Sequence, residues 1–150
     1  MSDKVRVYIE IEKGGNIKYE YNKAKRCLEI DRLLQPPHAY PYAYGFIPNT
    51  LAADGDDLDA LVVTTTPLVR DKVYNVHIVN ALRMEDEKGM DEKVICTVDG
   101  SDVSTDILAE IEMFFATYKL ECPGKWSRTD GYMGKAAAID LLLTSQHQDP

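Results

Sequence analysis

Across residues 5–12 apolar and polar positions alternate, with Val5, Val7, Ile9 and Ile11 on one side and Arg6, Tyr8, Glu10 and Glu12 on the other. Successive strand side chains point to opposite faces, so this pattern predicts a half-buried strand. Lys13-Gly14-Gly15-Asn16 reads as a turn, and residues 17–21 open a second strand. Residues 27–34 predict a third, closed by Gln35-Pro36-Pro37. The next segment, Tyr40-Pro41-Tyr42-Ala43-Tyr44-Gly45, holds too many breakers for a helix. Residues 61–66, 73–84 and 94–98 are rich in β-branched side chains and predict further strands.

The period changes after Gly100. Leu108, Ile111, Phe114, Phe115 and Tyr118 recur at helical spacing, with Ser104 or Thr105 placed to cap the start and Cys122-Pro123-Gly124 to break the end. Residues 134–145 predict a second helix. Strands come first and helices last, which points to a mainly β fold, a small closed sheet or barrel flanked by helices. An alternating βαβ arrangement does not fit. Phe114, Phe115 and Trp126 are expected as packing residues.

The chain's 150 residues suit one domain over 1–150 with a single core. Acidic residues outnumber basic ones by 25 to 17, a formal charge of -8 that repels nucleic acid and anionic lipid. Neither a nucleic-acid nor a membrane partner is expected, and an anionic substrate would need cations between it and the protein. Cys27, Cys96 and Cys122 form no C-x-x-C, and His38, His77 and His147 show no metal-binding spacing. Zinc is therefore disfavoured and a reducing compartment favoured. The start carries no apolar signal region and no 18-residue apolar run occurs, so a cytoplasmic protein is expected.

Candidate chemistry concentrates in Asp54-Gly55-Asp56-Asp57-Leu58-Asp59, just before an apolar strand. Carboxylates are the hard oxygen donors that magnesium and calcium prefer. In extended chain Asp54 and Asp56 point the same way, and a turn at Asp57 and Leu58 would bring Asp59 back to them. The EF-hand pattern is absent, because Asp59 and Thr65 stand where Gly and Glu belong. Further charge lies in Glu85-Asp86-Glu87-Lys88-Gly89-Met90-Asp91-Glu92-Lys93, in Lys18 and Glu20 on one strand face, and in Asp31-Arg32. Tyr40, Tyr42 and Tyr44 offer hydroxyls two residues apart, and Tyr118-Lys119 ends the first predicted helix. Each feature alone is ordinary surface charge or packing.

In this order and spacing, the blocks resemble the soluble family I inorganic pyrophosphatases. The resemblance runs over residues 7–126 and rests on Ile9-Glu10-Ile11, Ile17-Lys18-Tyr19-Glu20, Asp31-Arg32, Tyr40-Pro41 with Tyr44-Gly45, and the Asp-Gly-Asp loop. It continues through Met84-Glu85-Asp86-Glu87, Gly89, Asp91, Lys93, Phe114-Phe115, Tyr118-Lys119 and Gly124-Lys125-Trp126. It implies a five-stranded OB-like closed barrel with two α-helices near the C-terminus. It also implies hydrolysis of pyrophosphate to two phosphates by metal-activated water, with no covalent intermediate. Several Mg2+ ions per site are implied, with Mn2+ or other divalent ions as substitutes. Asp54, Asp59, Asp86 and Asp91 match metal ligands, and Glu10 and Glu20 further acidic contacts. Asp56 matches the residue regarded as general base. Lys18 and Tyr44 would meet the phosphoryl group under attack, and Arg32, Tyr118 and Lys119 the leaving phosphate. Tyr40, Glu87 and Lys93 match polar residues around the site.

Two departures stand out. Asp57 occupies the position where most relatives carry proline, which implies a more flexible loop and altered metal preference. Bacterial hexamers place histidines where this chain has Met113 and Thr117, so a homo-oligomer is implied but its order stays open. An inactive OB-like binding module, a metal buffer and a hydrolase of nucleoside diphosphates or polyphosphate are the competing readings. Acidic charge counts against the first, Arg32 and the lysines against the second, and the lack of a base-binding motif against the third.

Overall fold

The computed structural model describes residues 3–34, 38–53, 55–120 and 122–146. Its elements are β1 (Lys4–Ile11), β2 (Ile17–Asn22), β3 (Cys27–Leu33), β4 (Ala43–Ile47), β5 (Leu58–Val63), β6 (Val73–Asp86), β7 (Gly89–Met90), β8 (Lys93–Thr97), α1 (Thr105–Thr117), β9 (Ser127–Tyr132) and α2 (Lys135–Ser145). Pairing runs from β1 to β4, β5, β8 and β6, and back from β6 to β1, which closes a ring of five strands. Only the β5–β8 pairing in that ring is parallel. This is the mainly β, OB-like closed arrangement with two late helices that the sequence led us to expect. β2 and β3 form a two-stranded sheet of their own.

Each helix covers one part of the core. α2 brings Ala138, Ile139 and Leu142 onto a cluster that includes Val7, Ile47 and Val94. α1 brings Ile111, Phe114, Phe115 and the adjoining Tyr118 onto a second cluster that includes Tyr40, Tyr44, Leu61 and Ile95. Ser104 caps α1, its hydroxyl accepting the Ile107 amide proton at 3.3 Å. Neither described helix is long and apolar enough to cross a membrane. The three cysteines are unpaired thiols.

Some sequence expectations are corrected and one is extended. The segment after Tyr40, read only as non-helical, is a strand, β4. Gly45 is required there, because a Cβ at this position would lie 1.7 Å from the Tyr8 carbonyl oxygen of β1. β9 interrupts the strands-then-helices order; its Ser-Arg-Thr-Asp-Gly-Tyr sequence has no apolar alternation and is held by pairing with β6. In β1 the alternation fails at its end, where Ile9, Glu10 and Ile11 are all buried. The register of β1 against β4 shifts between Ile9 and Ile11, and the hairpin lies over Glu10 through the Tyr21 amide, which donates to Glu10 Oε2 at 2.9 Å. Trp126 is not a core residue: it is 46% exposed, with the Arg128 guanidinium 6.0 Å from its ring.

Candidate active site

One cleft, with a free volume of about 190 Å³, gathers residues spread from Glu10 to Lys125. β1 contributes Glu10, the hairpin Lys18, Glu20 and Arg32, and β4 Tyr44; the acidic loop and β5 add Asp56 and Asp59. The end of β6 contributes Asp86, the β6–β7 turn Glu87 and the β7–β8 turn Asp91; β8 gives Lys93, and the end of α1 gives Tyr118 and Lys119. All the expected site residues thus line this cleft except two. Asp54 lies outside the described residues. Tyr40 sits behind the wall, buried, its ring 5.0 Å from Tyr44 and 4.7 Å from Phe114.

Two buried lysines organise the acids. Lys93 donates to Asp59 at 2.7 Å, to Asp91 at 2.9 Å and to the Tyr44 hydroxyl at 2.8 Å. An ammonium carries three protons, so this one is fully used. Lys119 reaches back from the helix end to Asp86 at 3.0 Å and Glu87 at 3.5 Å. The Trp126 amide donates to the other Glu87 oxygen at 3.1 Å. The turn after Asp86 is fixed by that residue's carboxylate, which accepts the Lys88 amide proton at 2.9 Å.

On the opposite wall Lys18 pairs with Asp31 at 3.1 Å. Arg32 lies partly buried, its guanidinium 5.6 Å from the Tyr118 ring, and its buried Nε and Nη2 have no hydrogen-bond partner among the described residues. Donors of this kind are costly to bury and suit an incoming acceptor. A guanidinium fork matches phosphate oxygens in geometry and charge.

Electrostatics across the cleft are out of balance. Burial, reinforced by the charges of Asp59 and Glu20, raises the Glu10 carboxyl to about 8. Burial also raises Asp59 to about 6, against the pull of Lys93 and with the help of Asp91. Burial works against the Asp91 charge as well, but Lys93 outweighs it and holds that carboxyl low. Lys93 loses some basicity to burial and regains more from Asp59, Tyr44 and Asp91, so it stays charged.

The donor set suits hard cations. Among the described residues the cleft offers carboxylate oxygens and no histidine or cysteine, which favours magnesium or manganese over zinc. Raised carboxyls at Glu10 and Asp59 mark where added positive charge is welcome. Among the described residues, however, no three acidic, histidine or cysteine side chains converge on one point tightly enough to hold an ion. Asp59, Asp91, Asp86 and Glu87 are instead occupied by Lys93 and Lys119.

Sequence reasoning missed some of the cleft. Asp31, Lys23, Lys88 and Lys125 line it, as do Tyr19, Tyr21 and Phe46. Tyr19, Asp31, Lys88 and Lys125 stood in segments already singled out, whereas Tyr21, Lys23 and Phe46 carried no signal. Asp57, which stands where most relatives have proline, is buried and paired with Lys23 at 2.6 Å. The expected turn at Asp57 and Leu58 is displaced. It comes earlier, where the Ala52 amide donates to the Asp56 carbonyl at 2.7 Å, and Leu58 already begins β5.

Comparison with known proteins agrees with this geometry. A family model described as inorganic pyrophosphatase matches residues 7–149. The inorganic pyrophosphatase of Helicobacter pylori is 41% identical over 153 residues, covering 94% of this chain and 88% of the relative. That of Methanosarcina acetivorans is 44% identical over 146 residues, covering 91% and 86%. The crystal structure of inorganic pyrophosphatase from Thermus thermophilus superposes with a TM-score of 0.90 at 39% identity, over 95% of this chain and 89% of that one. With sequence and fold both matching, the chain belongs to the inorganic pyrophosphatase family.

Proposed function

We propose that this chain hydrolyses inorganic pyrophosphate to two phosphates in the cleft, using divalent cations and direct attack by water. The observation that carries this reading is the gathering of two charge sets in one small space. Glu10, Glu20, Asp56, Asp59, Asp86 and Asp91 supply negative oxygens, and Lys18, Arg32 and Lys119 supply cations. Acids alone would suit a metal store and bases alone an anion trap. Together they suit a polyanion that arrives with metal ions.

Glu10, Glu20, Asp59, Asp86 and Asp91 are the residues we assign to the metals, with Asp54 from the same loop. Magnesium held there would supply positive charge to the phosphoryl oxygens and would lower the pKa of a bound water. Asp56, on the acidic loop lining the cleft, would accept a proton from the attacking water as general base. Lys18 and Tyr44 orient the phosphoryl group under attack. Arg32, Tyr118 and Lys119 stabilise the departing phosphate, with the free guanidinium donors aimed at its oxygens. Phosphoryl transfer depends on positioning and charge, so no side chain needs to form a bond to phosphorus. Tyr40 backs Tyr44, and Lys93 and Glu87 hold the acids and Lys119 in place.

A substrate panel tests the assignment. With magnesium, phosphate release from pyrophosphate is expected to exceed release from ATP, tripolyphosphate and a phosphate monoester by at least about a hundredfold in kcat/KM, because the site spends its binding contacts on two phosphates. Equal rates across the panel would overturn it.

A further inference from the structure

The acidic loop and the β2–β3 hairpin are joined across the mouth of the cleft by one ion pair. Lys23, in the turn after β2, places Nζ 2.6 Å from Asp57 Oδ1. Its side chain is 73% exposed, whereas that of Asp57 is only 9% exposed. A carboxylate taken out of water needs a compensating charge, and Lys23 is the only cation within ion-pair distance of Asp57 among the described residues. Both residues line the cleft. Asp57 follows Asp56 directly and stands two residues before Asp59.

The hairpin lies outside the ring of five strands. No strand pairing therefore fixes the distance between Lys18 and Glu20 on the hairpin and Asp56 and Asp59 on the other side. The hairpin is tied near β1 by the Tyr21 amide on Glu10 at 2.9 Å, and Arg70 lies 4.1 Å from the Tyr19 ring. The Lys23–Asp57 contact ties it directly to the acidic loop.

We propose that Lys23 and Asp57 form a positioning latch. The pair holds the acidic loop against the hairpin at the spacing that divalent cations require, and so sets the cation affinity of the cleft without either residue touching the cation. This rests on the pyrophosphatase reading in taking the cleft as a divalent-cation site.

Calorimetric titration of Mn2+ into the full chain, without substrate, tests the latch. Lys23→Met and Asp57→Asn are each expected to raise the Kd about tenfold, as loss of a supporting contact around a metal site commonly does. The double variant is expected to be no worse than either single one, and the exchanged pair Lys23→Asp with Asp57→Lys to recover part of the loss. In the phosphate-release assay the same variants should need more magnesium for half-maximal rate, with the rate at saturating magnesium much less affected.

Unchanged Kd values, or a double variant whose loss is the product of the single losses, would overturn the proposal. If Asp57→Asn fails to fold, Lys23→Met carries the test, since that side chain faces solvent. A wild type that binds Mn2+ with the predicted coupling yet releases no phosphate would uphold the latch and end the pyrophosphatase reading. Active wild type with uncoupled variants would do the reverse.

Discussion

Lys93 Nζ lies 2.7 Å from Asp59 Oδ2, and the two residues stand opposite each other in the parallel pairing of β5 with β8. The same ammonium holds Asp91 and the Tyr44 hydroxyl, so three strands and a turn meet at a side chain only 2% exposed. Residues far apart in sequence thereby share one buried charge.

Removing that charge should be expensive. Lys93→Met leaves the buried Asp91 and the partly buried Asp59 beside each other without a counter-charge, and breaking a buried pair from one side costs about 3–5 kcal/mol. Urea unfolding in EDTA should show a loss of that order, reduced when magnesium is present. A loss within experimental error would mean that the carboxylates find other partners.

The raised carboxyls set a pH dependence for the metal-free protein. A carboxyl whose folded value exceeds its unfolded one gains a proton on folding, so its contribution is greatest below the unfolded value and is lost as pH climbs to the folded one. For Glu10 the window runs from 4.5 to about 8, and for Asp59 from 3.8 to about 6. Melting temperature in EDTA should therefore fall as pH rises through the upper part of this range. Magnesium should flatten the slope and add roughly 2.7 kcal/mol at a hundredfold excess over its dissociation constant. Coincident curves with and without magnesium would count against a cation site.

Much of this arrangement could be read along the chain and some could not. The strands with β-branched alternation, and the helices with capping and breaking residues, showed themselves because burial on one face imposes a period. β4 did not, because Pro41 and Gly45 look like turn residues until the close approach to Tyr8 explains the glycine. β9 did not, because its pairing with β6 rather than its own composition makes it a strand. Glu10 follows the polar side of its strand in sequence and is buried only because the hairpin covers it. At the cleft, most lining residues fall in the ordered blocks of the sequence, whereas the pairing of Lys93 with Asp59 and of Lys23 with Asp57 depends on folding and leaves no local trace.

The requirement at Gly45 can be checked directly. Gly45→Ala puts a methyl into the Tyr8 carbonyl, which forces β1 and β4 apart next to Tyr44. We expect a stability loss of roughly 3 kcal/mol, at the upper end for overpacking, and a fall in activity beyond the stability effect. Near-normal melting would show that the strands can separate cheaply.

Tyr40 predicts the opposite sign. Its hydroxyl is buried with no protein partner among the described residues, and an unsatisfied buried hydroxyl costs about 1–3 kcal/mol. Tyr40→Phe should keep the ring stack on Tyr44 and Phe114 and raise stability by about 1 kcal/mol in denaturant unfolding. A clear loss would reveal a partner for that oxygen.

Phosphate release from pyrophosphate in saturating magnesium, wild type beside Asp56→Asn at equal folded concentration, bears on the whole scheme. Loss of a general base should lower kcat by about 10²–10⁴-fold while magnesium binding persists. An Asp56→Asn protein as fast as wild type, or a wild type that releases no phosphate, would contradict it.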